Sequence, residues 1–165
     1  MRKEFVMKTR CVISFMVLAG FVLISHPAIA DDLADLKAAG ENILQVWNTE
    51  DVEGIFDCWL EEGGIWLSAS RAFPAPVKKS PRWVQFWTHW FQTHMIRLSW
   101  YNPQYRVIGN TGLVWGHMSH YVMNEETGIG KEEYRKAAGT FVKSEGKWKL
   151  VLFQDAPIPS ERDIY

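Results

Sequence analysis

The chain has 165 residues, 14% of them aromatic, with 18 lysines and arginines against 19 aspartates and glutamates, a net charge of −1. No basic stripe interleaves with the aromatic residues, which argues against a nucleic-acid partner, since phosphates need a cationic surface. Two cysteines, Cys11 and Cys58, exclude a disulfide-rich scaffold.

Arg2, Lys3, Lys8 and Arg10 precede an apolar run from Cys11 to Ser25, and Ala28-Ile29-Ala30 follows as a small-residue cleavage site. Residues 1–30 therefore read as a secretory signal peptide cut after Ala30, with Met1 or Met7 as the start. The apolar run of about 15 residues is shorter than the roughly 18 that span a bilayer, so no stable membrane anchor is expected. Export is expected, to the periplasm first and to the medium as the alternative. Setting aside Arg2, Lys3, Lys8, Arg10 and Glu4 leaves 14 basic and 18 acidic side chains, a net charge of −4. Only Cys58 then remains, so no internal disulfide forms. It sits in an apolar helical pattern, as a buried thiol does, rather than in the setting of a nucleophile.

Residues 31–160 read as one domain and 161–165 as a tail. Leu33, Leu36, Ile43, Leu44 and Trp47 recur at mostly helical spacing behind Asp31-Asp32, which predicts a first helix from Asp32 to Trp47. Asn48-Thr49-Glu50-Asp51 supplies turn and capping residues, and Val52, Ile55, Phe56 and Trp59 predict a second helix ending near Leu60. Gly63-Gly64 precedes a brief strand over 65–70. Pro74, Pro76 and Pro81 make 71–81 a surface loop, with Ser80 capping a third helix and Pro81 at its first position. That helix runs to about His94 and gathers Trp83, Phe86, Trp87, Trp90, Phe91 and His94 toward one side. Strands are predicted over 97–108, 113–123, 133–143 and 147–155, with turns at Asn110-Thr111-Gly112 and Ser144-Glu145-Gly146. Helices followed by a run of antiparallel strands predict an α+β fold, a curved sheet closed by three helices around a cone-shaped space.

Three segments carry a resemblance. Asn48 to Ile55 joins two helices, Asn110-Thr111-Gly112-Leu113-Val114-Trp115-Gly116 opens a strand, and Ala138 to Leu150 forms the closing hairpin. In this order they resemble the nuclear transport factor 2-like superfamily, its SnoaL-like group and the cystatin-like roll. The superfamily spans isomerases, dehydratases, cyclases, hydrolases and non-catalytic modules, so the resemblance implies a fold and not an activity. Ketosteroid isomerase pairs a carboxylate base with an oxyanion hole of tyrosine and protonated aspartic acid. Alignment with it puts Ile43 at the tyrosine, Leu67 at the base and Ala138 at the aspartic acid, all apolar here, and a one-residue slip would put Ser68 at the base. The resemblance also implies that Val114, Gly116, Met118 and His120 face inward on one strand and Val151, Phe153 and Asp155 on the last. Trp115, His117, Ser119 and Tyr121 would face outward, toward a homodimer partner.

The expected small-molecule site comprises Trp47, Leu67, Trp87, Trp90, His94, Met118, His120, Phe153 and Asp155. His120 and Asp155 are the candidate catalytic groups. Histidine suits proton transfer near neutral pH, and an inward carboxylate can act as its partner or alone as a base. The structural alternatives are a hydrogen-bonded core histidine and a turn aspartate before Pro157. His94 suits the negative end of a helix dipole. No cofactor is implied. His94, His120 and Asp155 lack metal-ligand spacing, and His117 and His120, three apart on a strand, face opposite ways. The reading favoured is an exported module binding a small apolar or aromatic ligand. The alternatives are a cofactor-independent isomerase, dehydratase or hydrolase using His120 or Asp155, and a homodimeric structural or assembly module.

Overall fold

The computed structural model describes residues 31–68 and 75–159. The expected signal peptide, the end of the first strand at Ala69-Ser70, Arg71 to Pro74 of the loop, and the tail lie outside the described residues. The chain divides into two compact units, 1–34 and 35–165, and only 31–34 of the first are described, as helix.

Residues 31–48 are helical and form α1. The Asp51 carboxylate accepts from Gly54 N at 2.9 Å and starts α2, Val52–Asp57, which buries Ile55 and Phe56. Cys58 is its C-cap, so α2 stops short of the expected Leu60, and Trp59 instead bridges to Leu150. Strand β1 is Gly64–Ser68 and β2 is Ala75–Val77. The second of these replaces part of the expected loop. Pro76 is tolerated there because β2 is the outermost strand, where a missing N–H breaks no ladder. Ser80 caps α3, Pro81–Phe91, with Pro81 in its first turn. Gln92 ends α3, so His94 is not its last residue but opens β3, His94–Ile108. Strands β4 (Thr111–Asn124), β5 (Ile129–Ser144) and β6 (Lys147–Pro157) complete the sheet. The first hairpin turns at Gly109-Asn110, one step earlier than expected, and Thr111 and Gly112 are already strand. The second turns at Glu145-Gly146, both with positive φ, as a two-residue hairpin of right-handed twist requires.

The strand order is β2-β1-β6-β5-β4-β3, antiparallel except for the parallel pair β1 and β6. Together with three helices this is the expected α+β architecture. One detail of register differs. Phe141 pairs with Leu150 and Thr140 with Leu152, so Val151 is an extra residue at a β-bulge. The bulge resets the alternation, and the buried residue is Leu150 rather than Val151, while Phe153 and Asp155 keep the inward parity expected of them.

Two apolar clusters form the core. One joins Leu36, Trp59, Val114, Phe141, Trp148 and Leu150, and the other joins Val46, Ile55, Phe91, Ile96, Leu98, Met118 and Ala137. Leu36 lies so close to Gly112 that a Cβ there would meet its Cδ1, which lets α1 sit directly on the start of β4. The other end of α1 is fastened by Asn48. Its amide donates to Leu98 O at 3.0 Å and accepts from Leu98 N at 2.7 Å, completing the hydrogen bonding of edge strand β3.

Candidate functional site

Alternation along the strands aims Trp66 and Ser68 of β1, Asp155 of β6, Arg135 of β5, and Met118 and His120 of β4 toward the helices. Neighbouring strands bring these positions together, because Ser68 and Ala137 both pair with Asp155, Met118 pairs with Arg135, and His120 pairs with Glu133. A cavity of about 60 Å³ lies between this face and the helices. Ile43, Leu44, Val46, Trp47, Ile55 and Cys58 wall it from the helices, and Trp59, Ile96, Leu98, Leu150 and Phe153 add further apolar wall. At about 10–15 Å³ per water-sized sphere, the space suits a handful of atoms, so it admits a small molecule and no extended one.

The cavity has one polar corner. The Trp66 indole N–H donates to Asp155 Oδ1 at 2.7 Å, and Arg135 Nε lies 2.9 Å from Asp155 Oδ2. Both side chains of the ion pair are buried, at 8% exposure for Arg135 and 2% for Asp155. A buried charge persists only when paired, and each of these charges supplies the other's compensation. The Arg135 Nε–H, however, is not directed at the carboxylate, so the contact is electrostatic and this buried donor makes no hydrogen bond among the described residues. Arg135 Nη1 lies 3.9 Å from Glu133 Oε2, at the outer margin of the corner.

His120 lines the same corner, and its ring nitrogens make no hydrogen bond among the described residues. Burial, and then the nearby Arg135 charge, hold its imidazole below the usual histidine range, outweighing the opposite pull of Asp155 and Glu133. A neutral imidazole is an acceptor and a base, not a cationic donor. Asp155 is differently placed. Both of its oxygens are engaged, which suits it to balancing Arg135 and not to taking a proton from a ligand. Burial pushes the Cys58 thiol up to about 11, despite the hydrogen bond from Asn42, so Cys58 is a wall residue and no ready thiolate. Among the described residues no three of His, Cys, Asp and Glu cluster as metal ligands would.

Trp47, Met118, His120, Phe153 and Asp155 thus meet around one cavity, and four other expected site residues do not line it. Leu67 pairs with Gln154 on the opposite face of β1 from Trp66. Trp87 stands one layer back, edge-on to Trp47 at 4.9 Å. Trp90 packs on Trp87 and stacks on His94, at 5.7 and 4.7 Å. His94 turns back to α3, its Nδ1 2.8 Å from Thr93 Oγ1 and 3.3 Å from Trp90 O. Two residues of the polar corner, Trp66 and Arg135, were not among the expected site residues. Arg135 sits in the charged run Glu132-Glu133-Tyr134-Arg135-Lys136, which looks like a solvated edge, yet counting back by twos from buried Phe141 reaches Gly139, Ala137 and Arg135.

No family model and no curated protein matches the sequence. Solved structures do. A ketosteroid isomerase-like protein from Erwinia carotovora is similar at a TM-score of 0.62 and 17% identity, over 78% of this chain and 98% of that one. A candidate dehydratase of the NTF2-like family from Streptomyces avermitilis gives 0.64 and 14%, over 79% and 99%. An NTF2-like protein with a cystatin-like fold from Novosphingobium aromaticivorans gives 0.65 and 14%, over 86% and 92%. The chain has the nuclear transport factor 2-like fold.

Within that fold, two of the three positions aligned with ketosteroid isomerase are one residue out of phase. Leu67 and Ala138 face away from the cavity, and their inward neighbours are Trp66 and Ser68 on β1 and Ala137 on β5. Ile43 does line it. The correction leaves the isomerase carboxylates unmatched and sets Trp66, Arg135 and His120 in this nuclear transport factor 2-like cavity instead.

Proposed function

We propose that the protein binds a small, largely apolar molecule of a few heavy atoms in the cavity between its helices and sheet, a space too small for the aromatic ligand also expected from the sequence. The observation that carries this reading is the cavity itself, apolar on nearly every wall and ending in one buried polar corner of Trp66, Asp155, Arg135 and His120. Few polar groups at one end of an apolar pocket are what orient a ligand without holding water. The test is native mass spectrometry of protein purified from the cell fraction that holds it. A discrete added mass that disappears on denaturation supports the reading, and a bare protein from every preparation contradicts it. Recovery from the periplasm would support the proposed export, and recovery from the cytoplasm with residues 1–30 intact would oppose it.

A second reading, a cofactor-independent isomerase or dehydratase, is favoured by His120 alone. It is an unbonded imidazole, held neutral inside the cavity, beside a cation able to stabilise developing negative charge. Under this reading His120 is the base and Asp155 positions Arg135. His120→Gln would then abolish solvent exchange of a ligand's acidic C–H while leaving its affinity within about threefold, as expected for loss of a proton acceptor. For assembly, the outward face of β3 to β5 exposes Tyr101, Trp115 and Tyr134, which supports a homodimer through that face. A monomeric mass by light scattering would oppose it.

A further inference from the structure

We propose that the ligand of this cavity is a small hydroxyl compound, an alcohol with a short hydrocarbon chain, whose O–H donates to the ring of His120. The inference rests on the small-molecule reading above and names the class of its ligand.

Size sets the first limit. A space of about 60 Å³ takes a branched three-carbon chain with one polar atom and excludes a substituted ring. The polar groups of the corner then differ in what already occupies them. Asp155 receives the Trp66 indole N–H at 2.7 Å and balances Arg135 at 2.9 Å, and Arg135 Nε is sealed against that carboxylate. His120 is not committed in this way. It lines the cavity and makes no hydrogen bond among the described residues, and its ring nitrogens are not sealed off as Arg135 Nε and Trp100 Nε1 are. A neutral imidazole has one N–H and one lone pair, and the surrounding charges decide which faces where. His120 and Arg135 are diagonal neighbours on one face of the sheet, because His120 pairs with Glu133 and Met118 with Arg135. Of the three charges that act on the ring, Arg135 has the largest effect, ahead of Asp155 and Glu133. That cation draws the lone pair toward the corner and leaves the N–H to Glu133 at its outer margin. The cavity thus offers a ligand an acceptor. A hydroxyl donates to it without adding charge, a ketone of the same shape has no proton to donate, and a carboxylate would lose its hydration beside Asp155. The apolar walls take the hydrocarbon part.

Nuclear magnetic resonance titration of the purified protein with isopropanol, acetone, acetate and isopropyl chloride separates the alternatives, because the four share a size and shape and differ in the polar group. At about pH 7.5, where an imidazole is neutral, isopropanol is expected to bind at least about threefold tighter than each of the others, the worth of one net hydrogen bond. A His120 ring nitrogen resonance is expected to shift with isopropanol and not with isopropyl chloride. As pH falls through the folded His120 value both ring nitrogens become donors, so the advantage over acetone should close, while Cys58 on the helix side stays a neutral thiol. In His120→Phe, which keeps a ring and loses the acceptor, the preference over isopropyl chloride should fall within about twofold. The nitrogen shift and its pH dependence in the parent stand as evidence even where that variant fails to fold. Acetate binding tightest would overturn the inference in favour of an anion site. Acetone equal to isopropanol at the higher pH, or isopropyl chloride equal to it with the His120 ring unmoved, would overturn it and leave the cavity reading standing. Binding of none of the four would overturn both.

Discussion

The inward faces of β4, β5 and β6 are built from the same alternation but end differently. At one end they contribute Val114, Phe141 and Leu150, all buried and packed with Leu36, Trp59 and Trp148. At the other they contribute His120, Arg135 and Asp155 around a cavity. The first end fills its space, and the second leaves space and lines it with ionisable groups. Close packing and ionisable groups are thus separated along three shared strands, and the bulge at Val151 keeps Leu150 and Phe153 both inward.

The sharpest way to break the contrast is to empty the filled end. Phe141→Ala is expected to cost about 3–5 kcal/mol in urea denaturation, because deleting a fully buried ring loses both transfer energy and packing. An effect below about 1 kcal/mol would mean that this end is not the stabilising one. At the polar end a loss of similar size arises by another mechanism. Asp155→Leu strands the Arg135 charge and should cost about 3–5 kcal/mol, whereas the double change Asp155→Leu with Arg135→Met should recover most of it. Failure of the double variant to recover would show that the pair is not self-compensating. Removing the indole donor is milder. Trp66→Phe loses the N–H together with the five-membered ring and should cost at least about 1.5–3 kcal/mol, the value of a hydrogen bond to a carboxylate.

The smallest effect is a pH dependence confined to the polar end. Burial and the Arg135 charge depress the folded-state His120, while Asp155 and Glu133 act against them, so protonation favours the unfolded chain. The His120 contribution is therefore complete above the ordinary histidine value of about 6.5 and is lost as pH falls through the depressed folded value. Urea midpoints of the parent measured from pH 7.5 downward should fall across this window more steeply than those of His120→Gln. Parallel curves would remove His120 from the account.

Each end was legible in the sequence only in part, the filled end in Val114 but not in Leu150. The resemblance implied the faces of β4 through Val114 and Met118, and Ser80-Pro81 marked the start of α3. His120, Phe153 and Asp155 followed from the same alignment. Arg135 did not, because in a run of charges a buried arginine and a solvated one look alike, and only strand pairing with Met118 tells them apart. Leu67 was chosen over Trp66 by alignment, and one residue of slip turns a strand over. Trp87, Trp90 and His94 share a helical stripe or its end with true core residues, and periodicity cannot say which layer a stripe reaches. The bulge at Val151 has no sequence signal of its own.

The central claim, that the polar end is the site and the apolar end its support, is tested most directly by the two indoles that mark them. Trp66 lines the cavity and Trp148 is buried in the filled end. In a proton–nitrogen correlation spectrum titrated with acetone, a molecule of four heavy atoms that suits the cavity, the Trp66 indole N–H and the backbone amides of His120 and Arg135 should shift together, with the Trp148 indole unmoved. Shifts centred on Trp148 or on the outward Trp115, with Trp66 unchanged, would contradict the account.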